Sequence, residues 1–299
     1  MKRAYVIGYP IRHSLSPVMH NAAFQALGID ATYEAAEVPP SDLESWVQQV
    51  RRPDLLGFNV TVPHKEAIVP LLDEIAGDAV LAGAVNTVVA RQGHLVGLNT
   101  DTIGFRRLLA DEAGMSLHEK SVVLLGAGGA ARAVAVVALQ DAVASLVVAN
   151  RHVERAQRLL EAVSSLNPGT AASATGLDGA ALERAIDEAD IIVNATSVGL
   201  VPDVLPIDPR LIPAGILVVD LIYNPPETAL LRAAAARGAR ALGGLGMLVH
   251  QAAAALEAWT GEQPSVEVMR QVAEEALAAS EPTPLSNPPP QGGRGLVQR

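Results

Sequence analysis

The sequence predicts an α/β protein: an N-terminal α/β unit with a mainly parallel sheet, followed by a doubly wound, Rossmann-type dinucleotide-binding unit. Short apolar strand-like runs alternate with helix-like runs along the chain. A glycine fingerprint, Gly126-Ala127-Gly128-Gly129-Ala130-Ala131, sits between one such strand and a helix. The alternation also starts twice, and 299 residues are many for one core.

In the first unit, Tyr5–Gly8 reads as a strand. Ser16-Pro17 offers an N-cap and a proline at the first helical position, predicting a helix to about Leu27. Thr32–Val38 is a strand, and Ser41 caps a helix carrying Trp46 and Val50. Leu55–Thr61 is a strand and His64–Leu72 a helix. Thr87–Ala90 and Leu95–Leu98 flank Gln92-Gly93 as a hairpin, and a helix spans Thr102 to Ala113.

The second unit begins with a buried strand at Ser121–Leu125, then a helix at Gly128–Leu139, a strand at Ser145–Ala149 and a helix at His152–Val163. Asp190–Asn194 and Ile216–Asp220 are further buried strands. Ala229–Arg237 and Met247–Trp259 are helices, and Pro264 opens another. Sequence alone leaves the helices after 247 unplaced. From Glu281 onward, five prolines and three glycines predict a disordered tail.

Composition narrows the function. A hydrophobic content of 49% supplies substantial cores. A net charge of −10 argues against nucleic acid as a partner. With no cysteine there is no disulfide, thiol nucleophile or thiolate zinc site. The first residues read as a strand, not a signal peptide, and no apolar run is long enough to span a membrane. A cytoplasmic protein with small-molecule partners is expected, as a monomer or homodimer. Among seven histidines no pair has metal-ligand spacing, so no metal is expected.

In the fingerprint, Gly126 permits the tight turn, Gly128 lets the backbone approach a pyrophosphate, and Ala131 is small enough for close helix–strand packing. The helix amides then face the phosphates. The next strand ends in Ala149-Asn150-Arg151, with Arg155 a turn further on. NAD sites usually place a carboxylate at this strand end. Two guanidiniums favour a 2′-phosphate instead, which selects NADP.

Lys65 closes Asn59-Val60-Thr61-Val62-Pro63-His64-Lys65, at the carboxyl end of a strand, where open α/β sheets hold ligands. Asp101 ends Gly97-Leu98-Asn99-Thr100-Asp101. A lysine and a carboxylate that share a proton, beside a hydride carrier, suit ketone–alcohol interconversion. Taken singly, Lys65 could be an exposed helix-start lysine and Asp101 a helix cap. Ser14 and Ser16 could bind a carboxylate at a helix N-terminus. Asn86, Thr87 and Asn99 suit a polyhydroxylated ligand. A hydrogen-bonding role explains Gln251 on an alanine-rich helix. His13 and His64 are expected to be polar loop residues.

The chain resembles the shikimate dehydrogenase family over about residues 4–275. The resemblance rests on Ser14-Leu15-Ser16-Pro17, Asn59 to Lys65, Gly83-Ala84-Val85-Asn86-Thr87, Asn99-Thr100-Asp101 and the glycine loop. It continues in Asn194-Ala195-Thr196-Ser197-Val198-Gly199, Tyr223-Asn224-Pro225 and Gly246-Met247-Leu248-Val249-His250-Gln251. It implies NADP-dependent interconversion of 3-dehydroshikimate and shikimate, with Lys65 and Asp101 as the catalytic pair. Ser14, Ser16, Thr61, Asn86, Tyr223 and Gln251 would join them in binding substrate. Gly126, Ala127, Gly128, Gly129, Ala130, Asn150, Arg151, His152, Arg155, Leu221, Gly244 and Met247 would bind the cofactor. It also implies a substrate domain of residues 1–103 completed by helices 247–279, an NADP domain of residues 104–246, and an active site in the cleft between them.

The sequence departs from the family pattern in three places. His152 stands where Thr or Ser is common, and a titrating imidazole there would make NADP affinity pH-dependent. Gly77 replaces an acidic residue, with Asp78 adjacent. Leu200 replaces a methionine. The rival expectations are an NAD-using quinate/shikimate dehydrogenase, a folate-linked reductase of like architecture, and a non-catalytic ligand sensor. The Asn150-Arg151 pair opposes the first and the Ser-Leu-Ser-Pro and Asn-Thr-Asp motifs the second; intact catalytic side chains make the third unnecessary.

Overall fold

A computed structural model describes residues 1–201 and 203–280. The expected disordered tail lies outside these residues. The first half contains β1 (Lys2–Gly8), α1 (Ser16–Leu27), β2 (Ala31–Glu37), α2 (Leu43–Val50), β3 (Leu55–Val60), β4 (Glu74–Ile75), α3 (Asp78–Ala82), β5 (Thr87–Arg91), β6 (His94–Leu98) and α4 (Asp101–Arg107). There follow β7 (Ser121–Leu125), α5 (Gly129–Gln140), β8 (Ser145–Ala149), α6 (Val153–Val163), β9 (Ala171–Thr175), α7 (Ala180–Asp187), β10 (Ile191–Asn194), β11 (Leu217–Asp220), α8 (Ala229–Ala236), β12 (Arg240–Gly243), α9 (Leu245–Thr260) and α10 (Val266–Ser280).

Two six-stranded sheets result. The first has the order β2-β1-β3-β5-β6-β4, and β5 alone runs against its neighbours. The second has the order β12-β11-β10-β7-β8-β9 and is parallel throughout. Read from β9, that is the doubly wound order in which the chain starts mid-sheet, builds one side and then the other. Its central strands are buried along their whole length, as a sheet covered on both faces requires. Helix α5 is buried on nearly every side, which explains its run of alanine and valine.

The last two helices return to the first sheet. Met269, Ala273 and Leu277 of α10 join the core formed by Met19, Ala23 and Phe24 of α1. From α9, Trp259 donates its indole N–H to the Val88 carbonyl of β5 at 2.9 Å.

The α/β class and most predicted elements match, and the differences have local causes. The expected helix over His64–Leu72 is a series of turns ending in a 3₁₀ turn, Val69–Leu71. Pro70 offers no amide for an α-helical bond there. Ser16 is not the cap of α1 but its first residue; the Ser14 hydroxyl accepts the Ser16 amide at 3.2 Å. Ser41 does not cap α2 either, since a 3₁₀ turn at Pro40–Asp42 intervenes. The helix from Thr102 continues to Ala113 with its last six residues in π geometry. The hairpin stands as expected, with Gln92 and Gly93 both at positive φ (54° and 85°), the type I′ condition.

Candidate active site

The two sheets bring their points of chain reversal together. In the first, β2 lies on one side of β1 and β3 on the other, so a crevice opens beyond the carboxyl ends of β1 and β3. The loop after β1 carries Ser14 and leads into Ser16; the loop after β3 carries Thr61 and Lys65. In the second sheet the reversal falls between β7 and β10, and the loop after β7 is Gly126–Gly128.

Between them lies a cleft of about 210 Å³. Ser14, Ser16, Thr61, Lys65, Asn86, Asp101, Tyr223 and Gln251 all line it, with Ala130, Leu221, Gly244 and Met247 from the other side. Lys65 Nζ stands 2.5 Å from Asp101 Oδ2. Asp101 opens α4 but caps nothing; its second oxygen accepts from Asn86 Nδ2 at 2.8 Å. Gln251 turns its oxygen to the same Asn86 amide at 3.3 Å and donates to the Leu248 carbonyl at 2.8 Å. Burial raises the pKa of the Tyr223 phenol above its ordinary value, so it stays a neutral hydrogen-bonding group.

The loop bearing Lys65 is fixed from below. His64 is not a solvated loop residue: it is buried, with Nε2 2.7 Å from the Val38 carbonyl. Asn99 also faces away from any ligand, donating to the Ala84 carbonyl and accepting the Asp101 amide. Asp78 accepts from Thr102 and Gln140. At the end of β11, buried Asp220 accepts from Thr228, Asn194 and the Ile222 amide, which holds the chain that presents Leu221 and Tyr223. Its burial raises its pKa, against the opposing pull of those three donors.

The remaining cofactor candidates lie along the ends of β7 and β8. Gly126 has φ +108°, a conformation that side chains disfavour, and its amide donates to the Ala149 carbonyl at 2.8 Å. A Cβ on Gly128 would stand in open space, which leaves room for a pyrophosphate beside the amides of α5. Asn150 donates to the His152 carbonyl at 2.8 Å and so shapes the turn into α6. Arg151, His152 and Arg155 are exposed there, and neither arginine joins an ion pair among the described residues. Free guanidiniums at this strand end are suited to a 2′-phosphate. Among the described residues no group of three or more His, Asp or Glu could hold a metal, and no helix is long and apolar enough to cross a membrane.

Two features escaped the sequence reading. Asn59 also lines the cleft; the signal was a buried amide in an otherwise apolar strand. Arg132 of α5 pairs with Glu66 at 3.0 Å and donates to the Ala82 carbonyl at 3.2 Å. It ties the dinucleotide helix to the residue after Lys65, a contact between distant segments that no local pattern encodes.

The chain is similar to known proteins along most of its length. Residues 6–88 match the shikimate dehydrogenase substrate binding domain, 108–201 the shikimate / quinate 5-dehydrogenase family, and 244–274 the shikimate 5'-dehydrogenase C-terminal domain. The NADP(+) shikimate dehydrogenase of Methanopyrus kandleri is 47% identical over 277 residues, covering 91% of this chain and 94% of the relative. That of Geobacillus kaustophilus is 43% identical over 280 residues, covering 93% and 99%. Among solved structures, shikimate 5-dehydrogenase from Thermus thermophilus in complex with NADP(H) and shikimate superposes with a TM-score of 0.82 at 40% identity, covering 93% of this chain and all (100%) of that one. The chain belongs to the shikimate dehydrogenase family.

Proposed function

We propose that this chain catalyses, in the cytoplasm, the reversible reduction of 3-dehydroshikimate to shikimate with NADPH. The observation behind the proposal is the Lys65–Asp101 contact of 2.5 Å, set in a cleft whose far wall includes Ala130 at the start of the dinucleotide helix. NADPH supplies the hydride. Lys65, with Asp101 as its partner, gives the proton to the ketone oxygen in one direction and takes it back in the other. Ser14, Ser16 and Tyr223 bind the substrate carboxylate with neutral hydroxyls near the start of α1. Thr61, Asn86 and Gln251 hold its ring hydroxyls. The glycine loop takes the pyrophosphate, and Arg151, His152 and Arg155, on the turn that Asn150 shapes, take the 2′-phosphate. Leu221, Gly244 and Met247 border the nicotinamide end of the cleft. We divide the chain accordingly: residues 1–103 with 247–279 hold substrate, and 104–246 hold cofactor.

The test is a set of initial rates at 340 nm with shikimate or quinate, each paired with NADP or NAD. Activity confined to shikimate and NADP is expected. A second reading exists because quinate dehydrogenase from Corynebacterium glutamicum, in complex with NAD, is 34% identical with a TM-score of 0.82. A preference for NAD and quinate would select it.

A further inference from the structure

We propose that Thr87 is a positioning residue, the centre of a buried hydrogen-bond relay that sets the direction of the Asn86 amide and, through it, the Asp101 carboxylate. The proposal rests on the reading of Lys65 and Asp101 as the acid–base pair.

Pure donors and pure acceptors fix the direction of most bonds in the relay. The Asn59 amide nitrogen must face the Asn86 main-chain carbonyl, a pure acceptor, at 3.1 Å. Its oxygen is thereby turned to Tyr33, whose hydroxyl must donate, at 2.7 Å. The same Asn59 nitrogen donates to Thr87 Oγ1 at 3.0 Å. Thr87 therefore accepts on one side and gives its own proton on the other, either to Asn86 Oδ1 directly or to Thr100 Oγ1, each at 3.0 Å, and the Thr100 hydroxyl itself reaches Asn86 Oδ1 at 3.2 Å. The Thr100 amide, a pure donor, holds Asn86 Oδ1 at 2.7 Å. That leaves the Asn86 nitrogen facing Asp101 Oδ1 at 2.8 Å, with Oδ2 for Lys65.

All of these side chains except Lys65 are buried, so an unpaired donor or acceptor would have no water to turn to. A hydroxyl pushing its proton onto Asn86 Oδ1 polarises the amide and strengthens its N–H bond to Asp101. Packing does not call for that hydroxyl. Thr87 is wholly buried at the start of β5, where Val88 and Val89 follow, and valine would fill the same shape with equal strand preference. The cross-strand pairing of Asn59 with Thr87 places the hydroxyl between the two amides.

The experiment compares Thr87→Val, Thr87→Ser and wild type in kcat, KM for shikimate, calorimetric shikimate affinity and Tm. Thr87→Val keeps the shape and loses the hydroxyl. We expect kcat to fall about tenfold, with KM and affinity changed by no more than about threefold. Thr87→Ser keeps the hydroxyl and loses only the methyl group, so it should stay close to wild type in kcat. Turnover that follows the hydroxyl, lost in valine and kept in serine with KM held, is what a packing role would not produce. Wild-type kcat in Thr87→Val, or equal slowing in both variants, would overturn the proposal. If Thr87→Val does not fold, Thr87→Ala, which also lacks the hydroxyl, takes its place beside Thr87→Ser: kcat lowered about tenfold in alanine alone supports the relay, and equal kcat in the two overturns it. Lys65→Ala, run beside them, separates the two claims. Full activity there would overturn the acid–base reading itself; its inactivity beside a fully active Thr87→Val would overturn the relay alone.

Discussion

Lys65 touches both halves of the proposed chemistry. Its Nζ lies 2.5 Å from Asp101 Oδ2, while its aliphatic stem lies against Gly129, where a Cβ would stand 2.8 Å from Lys65 Cδ and 3.0 Å from Cβ. A side chain at 129 can fit only if the lysine stem moves aside. The start of the dinucleotide helix thus lies directly against the lysine proposed to move the proton.

Gly129→Ala should therefore act as a catalytic mutation although position 129 bears no reactive group. The backbone there lies outside the positive-φ region, so alanine is tolerated conformationally. Its methyl group can be accommodated only by shifting the lysine stem. We expect kcat to fall about 10- to 100-fold with Tm nearly unchanged. Steady-state rates and a thermal melt check this, and a fully active alanine variant would mean the stem yields without moving Nζ.

Removing the charges of the pair should be more severe. Lys65→Ala and Asp101→Asn should each lower kcat by about 10²- to 10⁴-fold, the usual span for a general acid–base group. Substrate binding should weaken far less. Unchanged turnover in Lys65→Ala would remove that residue from the mechanism.

Arg151 and Arg155 should govern cofactor choice, being exposed at the end of β8 without ion-pair partners among the described residues. Replacing both by serine should raise KM for NADP about 10- to 100-fold, as expected for loss of charge-assisted hydrogen bonds to a phosphate. KM for NAD should hardly move. A parallel rise for both cofactors would instead indicate that the turn into α6 had been disrupted.

Much of this site was legible in the sequence because its chemistry demands exceptions to the pattern. Lys65 and Thr61 follow an apolar strand, Asn86 and Asp101 sit at element ends, and Gln251 interrupts a helix of alanines. Each is a polar residue where packing alone would choose otherwise. The glycine loop was legible from its strand-to-helix setting. Other features were not, for physical reasons. Edge strands β9 and β12 lack a distinct apolar period, as exposed strands do, and the eight-residue α7 signals itself only through Leu182 and Ile186. The helix expected over 64–72 fails because Pro70 outweighs local propensity. The Gly129–Lys65 and Arg132–Glu66 contacts join residues more than 60 positions apart, and such proximity arises only when both sheets have formed.

His20 makes a separate prediction about stability and pH. Its ring is fully buried on α1, stacked 4.2 Å from Tyr33, and neither nitrogen has a hydrogen-bond partner. Burial penalises the charged ring and, against a smaller opposing pull from Asn59, lowers its pKa from 6.5 to about 3. Between those values the unfolded chain binds a proton that the native protein refuses, so stability must fall as pH drops below about 6.5 and continue falling toward 3. At about pH 5 the loss from this residue is on the order of 2 kcal/mol, at 1.36 kcal/mol per unit. His20→Phe keeps an aromatic ring against Tyr33 and removes the titration. Urea unfolding at pH 7 and at pH 5 should show wild type losing roughly 2 kcal/mol more than the variant over that interval. The comparison uses the difference in pH dependence, so any packing change from the larger ring cancels. Equal pH dependence in the two proteins would show that His20 finds a proton-accepting partner in the folded state.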